Sequence, residues 1–217
     1  MSWFTVRFAL YMLAAFVPSL VAHEVAHVVT AERFGDLTPR RYGRRTFRLR
    51  PHLDRFGTIV MPVILFLVAA VGGGAVVFGY AQPLPYNPMA LRNPTREVSL
   101  IALAGPAANL VIGAIAGVAL RATTIGSELF FVLAAILIVN FFLCVFNLMP
   151  IPGLDGSRIL AQFLHGRARE VYVNMDQYLP LFVLVVFFIL AGPILGIVNA
   201  FDRALCQVFA GEACHLL

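Results

Sequence analysis

Two histidines and a glutamate lie inside the first apolar segment of the chain, in the stretch HEVAH. On a helix, His23 and His27 are one turn apart on the same face, so their imidazole nitrogens can bind one metal ion. Glu24 lies beside them, where it can hold a water molecule. Ionisable side chains in a membrane helix are costly and usually functional, so we interpret HExxH as half of a zinc site. The alternative is a pair of core histidines satisfied by the backbone or by Glu24.

A catalytic zinc ion requires a third protein ligand and one open position. Asp155 is the candidate, because the sequence PIPGLDGSR follows an apolar helix directly and its prolines and glycines interrupt that helix around the carboxylate. Irregular backbone at membrane depth is tolerated where it lines a protected cavity. Spacing alone leaves a second interpretation equally open, in which Asp155 caps the N-terminus of the next helix.

The composition is that of an integral membrane protein. Of the 217 residues, 60% are hydrophobic and 12% are charged, and the mean hydropathy is +0.87. We therefore predict an all-α polytopic membrane fold with a single domain, 1–217, because little polar sequence remains for a soluble domain. About five apolar helical segments are expected, at approximately 4–34, 58–80, 97–120, 127–149 and 178–200. Three cysteines without a CxxC pair indicate neither a disulfide framework nor a zinc ribbon: Cys144, Cys206 and Cys214.

The segments between the helices predict a small amount of extended structure and an unusual topology. Arginines alternate with Tyr42, Phe47 and Leu49, which predicts a membrane-associated β-hairpin at 42–50, and 80–88 is a candidate strand. Asp155 can meet the histidines only if helix 97–120 starts at the end where the first helix finishes. The intervening chain then crosses the membrane an even number of times, so 58–80, with its three consecutive glycines, is re-entrant, or 81–96 returns in extended form.

The positive charge is concentrated next to the first helix. Eight of the sixteen basic residues, all arginines, lie between Arg33 and Arg55. A short basic loop beside a membrane span is typical of the cytoplasmic side, so we place the loop 33–55 in the cytoplasm. This distribution favours membrane topology and lipid contact over nucleic-acid binding. His52 and Asp54 in the same loop could form a second metal site, although a structural turn is the favoured interpretation.

Several stretches together resemble a known family. They are HEVAH at 23–27, RFGDLTPRRYGR at 33–44, HLDRFGTIVMP at 52–62, FGYAQPLPYNP at 78–88, AGPAAN at 104–109 and FNLMPIPGLDGSRIL at 146–160. HExxH alone occurs in many unrelated proteases, but HExxH in a first membrane helix followed by AGPxxN and a helix-terminal LDG is specific. The sequence resembles the site-2 protease family of intramembrane zinc metalloproteases, and is most similar to its compact bacterial subgroup without PDZ or CBS domains.

The resemblance implies that one zinc ion per chain is held by His23, His27 and Asp155. It further implies that Glu24 is the general base. Asn147 matches a family asparagine that steadies the water or the oxyanion, and Asn109 of AGPAAN is a second polar residue near the site. Related proteins often read PPLDG where this chain has Gly153 before Leu154, a difference that could loosen the loop that holds the third ligand.

The implied activity is zinc-dependent cleavage of transmembrane segments in membrane-anchored substrates, as in regulated intramembrane proteolysis. The family cleaves single-span proteins such as anti-sigma factors and signal-peptide remnants, and the sequence does not choose among them. A strand edge at 42–50 or 80–88 would hold the unwound substrate by main-chain pairing. The rival hypothesis is a membrane transporter or channel in which the buried His/Glu cluster lines an ion path. A third is an inactive relative that only binds membrane helices.

Overall fold

The computed structural model describes residues 3–54, 85–178, 191–211 and 214, and the fold is given for these residues. The described part of the chain contains seven α-helices and no β-strand. The helices are α1 (Trp3–Arg33), α2 (Thr38–Arg41), α3 (Pro94–Leu120), α4 (Glu128–Asn147), α5 (Asp155–Ala161), α6 (Gly166–Asn174) and α7 (Ala191–Ala210). Short 3-10 helices occur at Arg50–His52, Pro88–Ala90 and Met175–Tyr178.

Three of these helices are long and apolar enough to cross a membrane, namely α1 over Leu10–Arg33, α3 and α4. The predicted helices at 4–34, 97–120 and 127–149 are therefore confirmed. The predicted segment 58–80 lies outside the described residues, as do residues 179–190 of the segment 178–200. The helix α7 extends the latter segment to Ala210.

Polar side chains begin the two central helices. The Asn93 side chain accepts a hydrogen bond from the backbone N–H of Arg96, and Pro94 occupies the first turn of α3, where its missing N–H costs nothing. Ser127 caps α4 in the same way, by accepting from the N–H of Phe130. These caps fix where each apolar segment starts, and so they fix its depth relative to its neighbours.

The helices α1 and α4 run in the same direction, and α3 runs opposite to both. The side chains of Arg7 and Tyr11, near the start of α1, both bond to Glu128 at the start of α4. At the other end of α1, Val28 and Ala31 pack against Ile101 near the start of α3. The chain that leaves α4 therefore emerges beside the end of α1 that carries the histidines.

Two glycines allow the central helices to approach closely. A Cβ atom at Gly113 would lie 2.5 Å from the ring of Phe141 on α4, and one at Gly117 would lie 2.9 Å from Cβ of Phe209 on α7. Both glycines therefore serve the close packing of the helices. The buried core that they border joins α3, α4 and α7 through Ala116, Leu120, Phe130, Ala134, Leu137, Phe141, Cys206 and Ala210.

A fully buried carboxylate joins the end of α1 to the approach to α3. Asp36 accepts a hydrogen bond from the N–H of Thr38 at 2.9 Å through Oδ1, and from the N–H of Asn87 at 2.7 Å through Oδ2. The chain thus leaves α1 and returns to α3 at the same end of the bundle, as the meeting of Asp155 with the histidines requires. How residues 58–80 contribute to this return lies outside the described residues.

The predicted hairpin at 42–50 is wrong. This stretch forms turns between α2 and the 3-10 helix at Arg50–His52, and Gly43 has a φ of +71° that breaks any extended run. The alternating arginines do not line one face of a strand, because Arg44 is buried and Arg45 forms an ion pair with Glu32 of α1 at 2.7 Å. The loop packs against α1 instead of pairing with a second strand. Of the second candidate strand, 80–88, only 85–88 is described, and it is irregular up to the 3-10 helix.

Two further expectations about this chain have clear outcomes. His52 is buried, and its Nε2 donates to the carbonyl oxygen of Thr46 at 2.9 Å, which closes the loop and agrees with a structural turn. His52 and Asp54 do not belong to any group in the described residues that could hold a metal. The cysteine pattern was misleading, because Cys206 and Cys214 form a disulfide bond next to the end of α7, while Cys144 is free.

The close approach at Gly113 predicts opposite effects for two glycine substitutions. Gly113→Ala drives a methyl group into the Phe141 ring and should lower the free energy of unfolding by about 1–3 kcal/mol. Gly196→Ala, on α7, meets no atom within 4 Å, and should raise it by about 0.5–1 kcal/mol through helix propensity. Unfolding in mixed detergent micelles measures both. Equal stabilities for the two variants would contradict the packing described here.

Candidate metal centre

Three potential metal ligands converge at one point in the described part of the chain. The Nε2 atoms of His23 and His27 lie 3.0 and 3.2 Å from Oδ2 of Asp155. All three side chains are buried, and their ligand atoms lie within 4.8 Å of one another. The structure thus brings together the three residues that the family resemblance implies as zinc ligands.

The turn between α4 and α5 delivers Asp155 to the histidines. Gly153 has a φ of +90°, a value that residues with a side chain rarely adopt and that proline cannot reach. A Cβ atom at Gly156 would collide with the carbonyl oxygens of Leu148 and Met149, so only glycine lets α5 begin against the end of α4. Gly153, the residue that distinguishes this chain from related PPLDG sequences, therefore shapes the turn. Gly156, the glycine of LDG, is required by the close packing of α5 against the end of α4.

The two interpretations of Asp155 can now be separated. The helix α5 does begin at Asp155, but the helix has no side-chain cap, and the carboxylate is directed to the imidazoles instead. The Asp155 carboxylate therefore faces the two imidazoles and does not cap its own helix, and this is the placement that a metal ligand requires.

The opposite nitrogen of each imidazole is fixed by a hydrogen bond. Nδ1 of His27 lies 2.7 Å from the carbonyl oxygen of Ile101, and Nδ1 of His23 lies 2.5 Å from Oδ1 of Asn109. A backbone carbonyl can only accept, so Nδ1 of His27 carries the proton, and its Nε2 presents a lone pair in the neutral ring. Such contacts orient metal-binding histidines and fix their tautomer.

The residues present fit a zinc ion. Ligand atoms of a tetrahedral zinc, at 2.0–2.1 Å from the metal, lie about 3.3 Å from each other, which agrees with the two separations to Asp155. Although these separations are short, Oδ2 of Asp155 is buried and receives no well-formed hydrogen bond. Buried acceptors that face one another with no donor between them are unfavourable without a cation. Two imidazoles and a carboxylate form a common catalytic zinc set with a fourth position open.

Gly105 of the AGPAAN stretch makes room for the histidines. A Cβ atom at this position would lie 2.6 Å from Nε2 of His23 and even closer to Nε2 of His27. The backbone of α3 therefore lies directly against the metal-facing edge of both rings. Any side chain here would displace the two ligands, a constraint that the sequence pattern alone did not reveal.

The residues predicted to take part in catalysis occupy three different environments. Glu24 is buried on α1 next to His23. Burial lowers the pKa of the nearby Arg44 guanidinium, and the Glu24 carboxylate opposes that shift. Asn109 contacts His23 directly, as described above. Asn147 is half-buried, and its amide donates to the carbonyl oxygen of Leu143 on its own helix at 2.9 Å. The catalytic roles of Glu24, Asn109 and Asn147 stay predictions.

Two buried polar residues near the site were not identified from the sequence. Asn140 on α4 and Ser19 on α1 are almost completely buried, and Asn140 bonds to both Ser19 and Asn109. The signal that could have revealed Asn140 is an amide in the middle of an otherwise apolar membrane-length helix, where a polar side chain needs a specific partner.

Comparisons with known proteins agree with this geometry. The sequence profile of Peptidase family M50 matches residues 11–126 and 119–191. YwhC of Bacillus subtilis (strain 168), named as a candidate zinc metalloprotease, is 33% identical over 188 residues, which are 82% of this chain and 80% of YwhC. The Rip2 proteins of Mycobacterium tuberculosis (H37Rv) and Mycolicibacterium smegmatis, named in the same way, are 28% and 31% identical over 179 residues. The matches cover 81% and 80% of this chain and 66% and 65% of the relatives. No solved structure matches the chain significantly.

The contact between Gly105 and the histidines predicts a selective loss of metal. Gly105→Ala should weaken zinc binding by at least about 100-fold, because the methyl group pushes both ligands away from Asp155. Gly113→Ala introduces the same methyl group two turns further along α3, against Phe141, and should keep one zinc ion per chain. Metal analysis after dialysis against a chelator compares the two variants. Zinc retention by Gly105→Ala would show that the rings do not depend on this gap.

Proposed function

Because this chain belongs to Peptidase family M50, the site-2 protease family of zinc metalloproteases, we propose that it cleaves peptide bonds within the membrane-spanning segments of other proteins. The observation that carries the proposal is the convergence of two imidazoles and a carboxylate, all buried, between helices of membrane-spanning length. A soluble substrate would have to enter the bilayer to reach a site at such a depth. A substrate that is itself embedded in the bilayer can reach it laterally.

The metal site would hold one zinc ion per chain through His23, His27 and Asp155. When bound there, zinc supplies a Lewis acid that polarises the scissile carbonyl and lowers the pKa of a coordinated water molecule. The chain supplies the rest. The hydrogen bonds to Nδ1 hold the imidazole rings of His23 and His27 in place. Because Gly105 has no side chain, the space beside their Nε2 atoms stays open.

Glu24 is the general base of the proposed reaction. Its carboxylate takes a proton from the attacking water, and the oxygen of that water forms the new bond to the scissile carbonyl carbon. The same proton then passes from Glu24 to the leaving nitrogen, so the C–N bond breaks with a neutral amine as product. The buried Arg44 guanidinium lies within electrostatic reach of the Glu24 carboxylate.

The substrates would be single-span membrane proteins, for example anti-sigma factors or remnant signal peptides. The arginine-rich loop 33–55 supports a cytoplasmic location for the neighbouring end of α1, by the positive-inside rule. His27 and Asp155 lie towards that end, so cleavage would occur near the cytoplasmic side of the substrate span. A released fragment would then enter the cytoplasm, as the regulated proteolysis of membrane-anchored regulators requires.

A lateral groove offers a route from the bilayer to the site. An apolar cavity of about 470 Å³ lies where α1, α3 and α4 meet, and Phe47 of the loop 33–55 also lines it. Its lining includes Ala14, Pro18, Ser19, Ala22, Ile112 and Ile136. The α1 side of the groove ends at Ala22, next to His23. We assign it to the transmembrane segment of the substrate.

Pro18 gives the groove a main-chain acceptor. Proline has no N–H, so the carbonyl oxygen of Ala14 lacks the donor that a regular helix would supply. Both residues line the groove. An unwound substrate must satisfy its own N–H groups away from water, and this carbonyl oxygen can accept one of them. The groove therefore replaces the strand edge at 42–50 as the place where the substrate is held.

The transporter hypothesis explains less of the site than proteolysis does. An ion path needs polar groups along its length. The described groove is apolar, and the three candidate metal ligands converge at a single point instead of following a path. Membership of a peptidase family further favours hydrolysis. The inactive-relative hypothesis is not favoured either, because Glu24 and all three proposed ligands are present.

Substitution of the base and of a ligand should separate chemistry from metal binding. Glu24→Gln should keep zinc and lose at least about 100-fold in cleavage rate, because it removes the proton acceptor. Asp155→Asn should lose both zinc and cleavage. Cleavage of a single-span reporter in proteoliposomes, with metal content measured on the same samples, tests both variants. Undiminished cleavage by a zinc-loaded Glu24→Gln protein would exclude the proposed role of this residue.

A bulky residue in the groove should block the substrate without affecting the metal. Ala14 is exposed and lies nine residues before His23, about 13 Å along the helix, so Ala14→Phe cannot touch the ligands. We expect it to reduce reporter cleavage at least about tenfold at unchanged zinc content. Leu13→Phe, at an exposed position on α1 that does not line the groove, is the control. Equal cleavage by both variants would place the substrate elsewhere.

A further inference from the structure

Asn140 is a polar side chain that the proposed reaction does not use. It lies in the middle of α4, and it is completely buried among apolar residues. A primary amide in such a place is unfavourable unless both its donors and its acceptor are satisfied. Asn140 meets this condition. Its Nδ2 lies 2.8 Å from the Ser19 hydroxyl oxygen and 2.8 Å from the Ile136 carbonyl oxygen, and its Oδ1 lies 2.8 Å from Nδ2 of Asn109.

The orientation of the Asn140 amide follows from the Ile136 carbonyl. A backbone carbonyl oxygen can only accept, so the NH2 group of Asn140 must face it. The second hydrogen of that NH2 group is donated to Ser19 on α1. Both donors are then used, and Oδ1 is the only part of the Asn140 amide left to face Asn109. The amide is fixed by its surroundings and has no free choice of orientation.

The orientation of Asn109 follows in turn. The Asn140 oxygen can only accept, so Asn109 presents its NH2 group to it, and the same NH2 group lies 3.4 Å from the backbone oxygen of Ser19. The oxygen of Asn109 therefore points the other way, where it lies 2.5 Å from Nδ1 of His23. An acceptor at Nδ1 requires the proton to be on that nitrogen, and Nε2 is left with its lone pair towards Asp155.

We propose that Asn140, supported by Ser19, is a positioning residue that fixes the tautomer and ring orientation of His23 through Asn109. The inference rests on the proposed function, because it takes His23 as a metal ligand. It also distinguishes the two histidines. His27 is oriented directly by the backbone of Ile101, whereas His23 depends on a chain of side chains that begins at a backbone carbonyl one turn before Asn140. Substitutions at Asn140 should therefore act on one ligand only.

The effect on metal affinity is the central measurement. Asn140→Leu should weaken zinc binding by about 10–100-fold in a competition with a chelator, because removal of an outer hydrogen-bond partner releases the ligand that it orients. Asn109→Leu should do the same. The double variant should bind zinc no more weakly than Asn109→Leu alone, since Asn140 acts through Asn109 and the two losses are not additive. Ser19→Ala should cost less than about threefold, because the Ile136 carbonyl still orients Asn140.

Control variants separate this role from packing. Asn140→Ala leaves space where Asn140→Leu adds bulk, so equal zinc affinities in the two variants indicate the lost hydrogen bonds. Cys144→Ala truncates a buried residue one turn further along α4 and should bind zinc as the wild type does. Cobalt substitution gives a second readout, because the visible absorption of bound cobalt reports ligand geometry. The spectrum should change in the Asn140 and Asn109 variants and not in Cys144→Ala.

The outcomes distinguish failure of this inference from failure of the proposed function. Wild-type zinc affinity in Asn140→Ala, or additive losses in the double variant, would overturn the role of Asn140 and leave the metal centre intact. If the wild-type protein binds no zinc, or if His23→Ala binds it as tightly, the proposed metal centre itself fails. Reduced affinity that is shared by Asn140, Asn109 and their double variant, with Cys144→Ala unaffected, supports the inference.

Discussion

The contact between Asp155 and the two imidazoles of α1 determines how the rest of the described chain is arranged. The carboxylate belongs to the first residue of α5, and the imidazoles lie more than 120 positions earlier. For these groups to meet, α4 must run parallel to α1, and the helix between them must run the other way. Several described features support this arrangement of the helices. They are the caps at Asn93 and Ser127, the pair of Arg7 with Glu128, and the turn at Gly153.

Absent side chains matter as much as present ones in this bundle. Gly105 lets the backbone of α3 lie against the histidine rings, and Gly156 lets α5 start against the carbonyl groups that end α4. Gly113 admits the ring of Phe141 in the same way. Within lipid there is no hydrophobic gain from bringing two apolar helices together, so close van der Waals contact and buried hydrogen bonds must hold them. Glycine provides the first, and the amides of Asn109 and Asn140 provide the second.

Much of the site could be predicted from the sequence, because its chemistry needs specific residue types at specific spacings. HExxH indicates two candidate ligands locally, since helix periodicity places His23 and His27 on one face. Asp155 was found through the helix-breaking stretch around it and through family resemblance, whereas spacing alone left its role undecided. The convergence of all three is a tertiary fact that no local pattern contains. The proposed general base, Glu24, follows from the same motif as the first two proposed ligands.

The errors have physical causes that are equally specific. Alternating arginines predicted a hairpin at 42–50, but periodicity cannot register that Arg44 is buried and Arg45 is paired with α1. Asn140 and Ser19 were overlooked because their partners lie on other helices, so that their importance depends on packing. Cys206 and Cys214 pair although they form no recognised motif. In each case the contact that made the prediction wrong or incomplete depends on how the folded backbone brings the two residues together.

The buried carboxylate of Asp36 joins two parts of the chain that are far apart in sequence. It receives N–H groups from Thr38 and from Asn87, positions separated in sequence by the whole excursion between α1 and α3. The entropy cost of closing a loop rises only slowly with its length. Because both ends of this excursion are fastened at Asp36, the relative depth of α1 and α3 at this end of the bundle does not rely on the length of the chain that joins them.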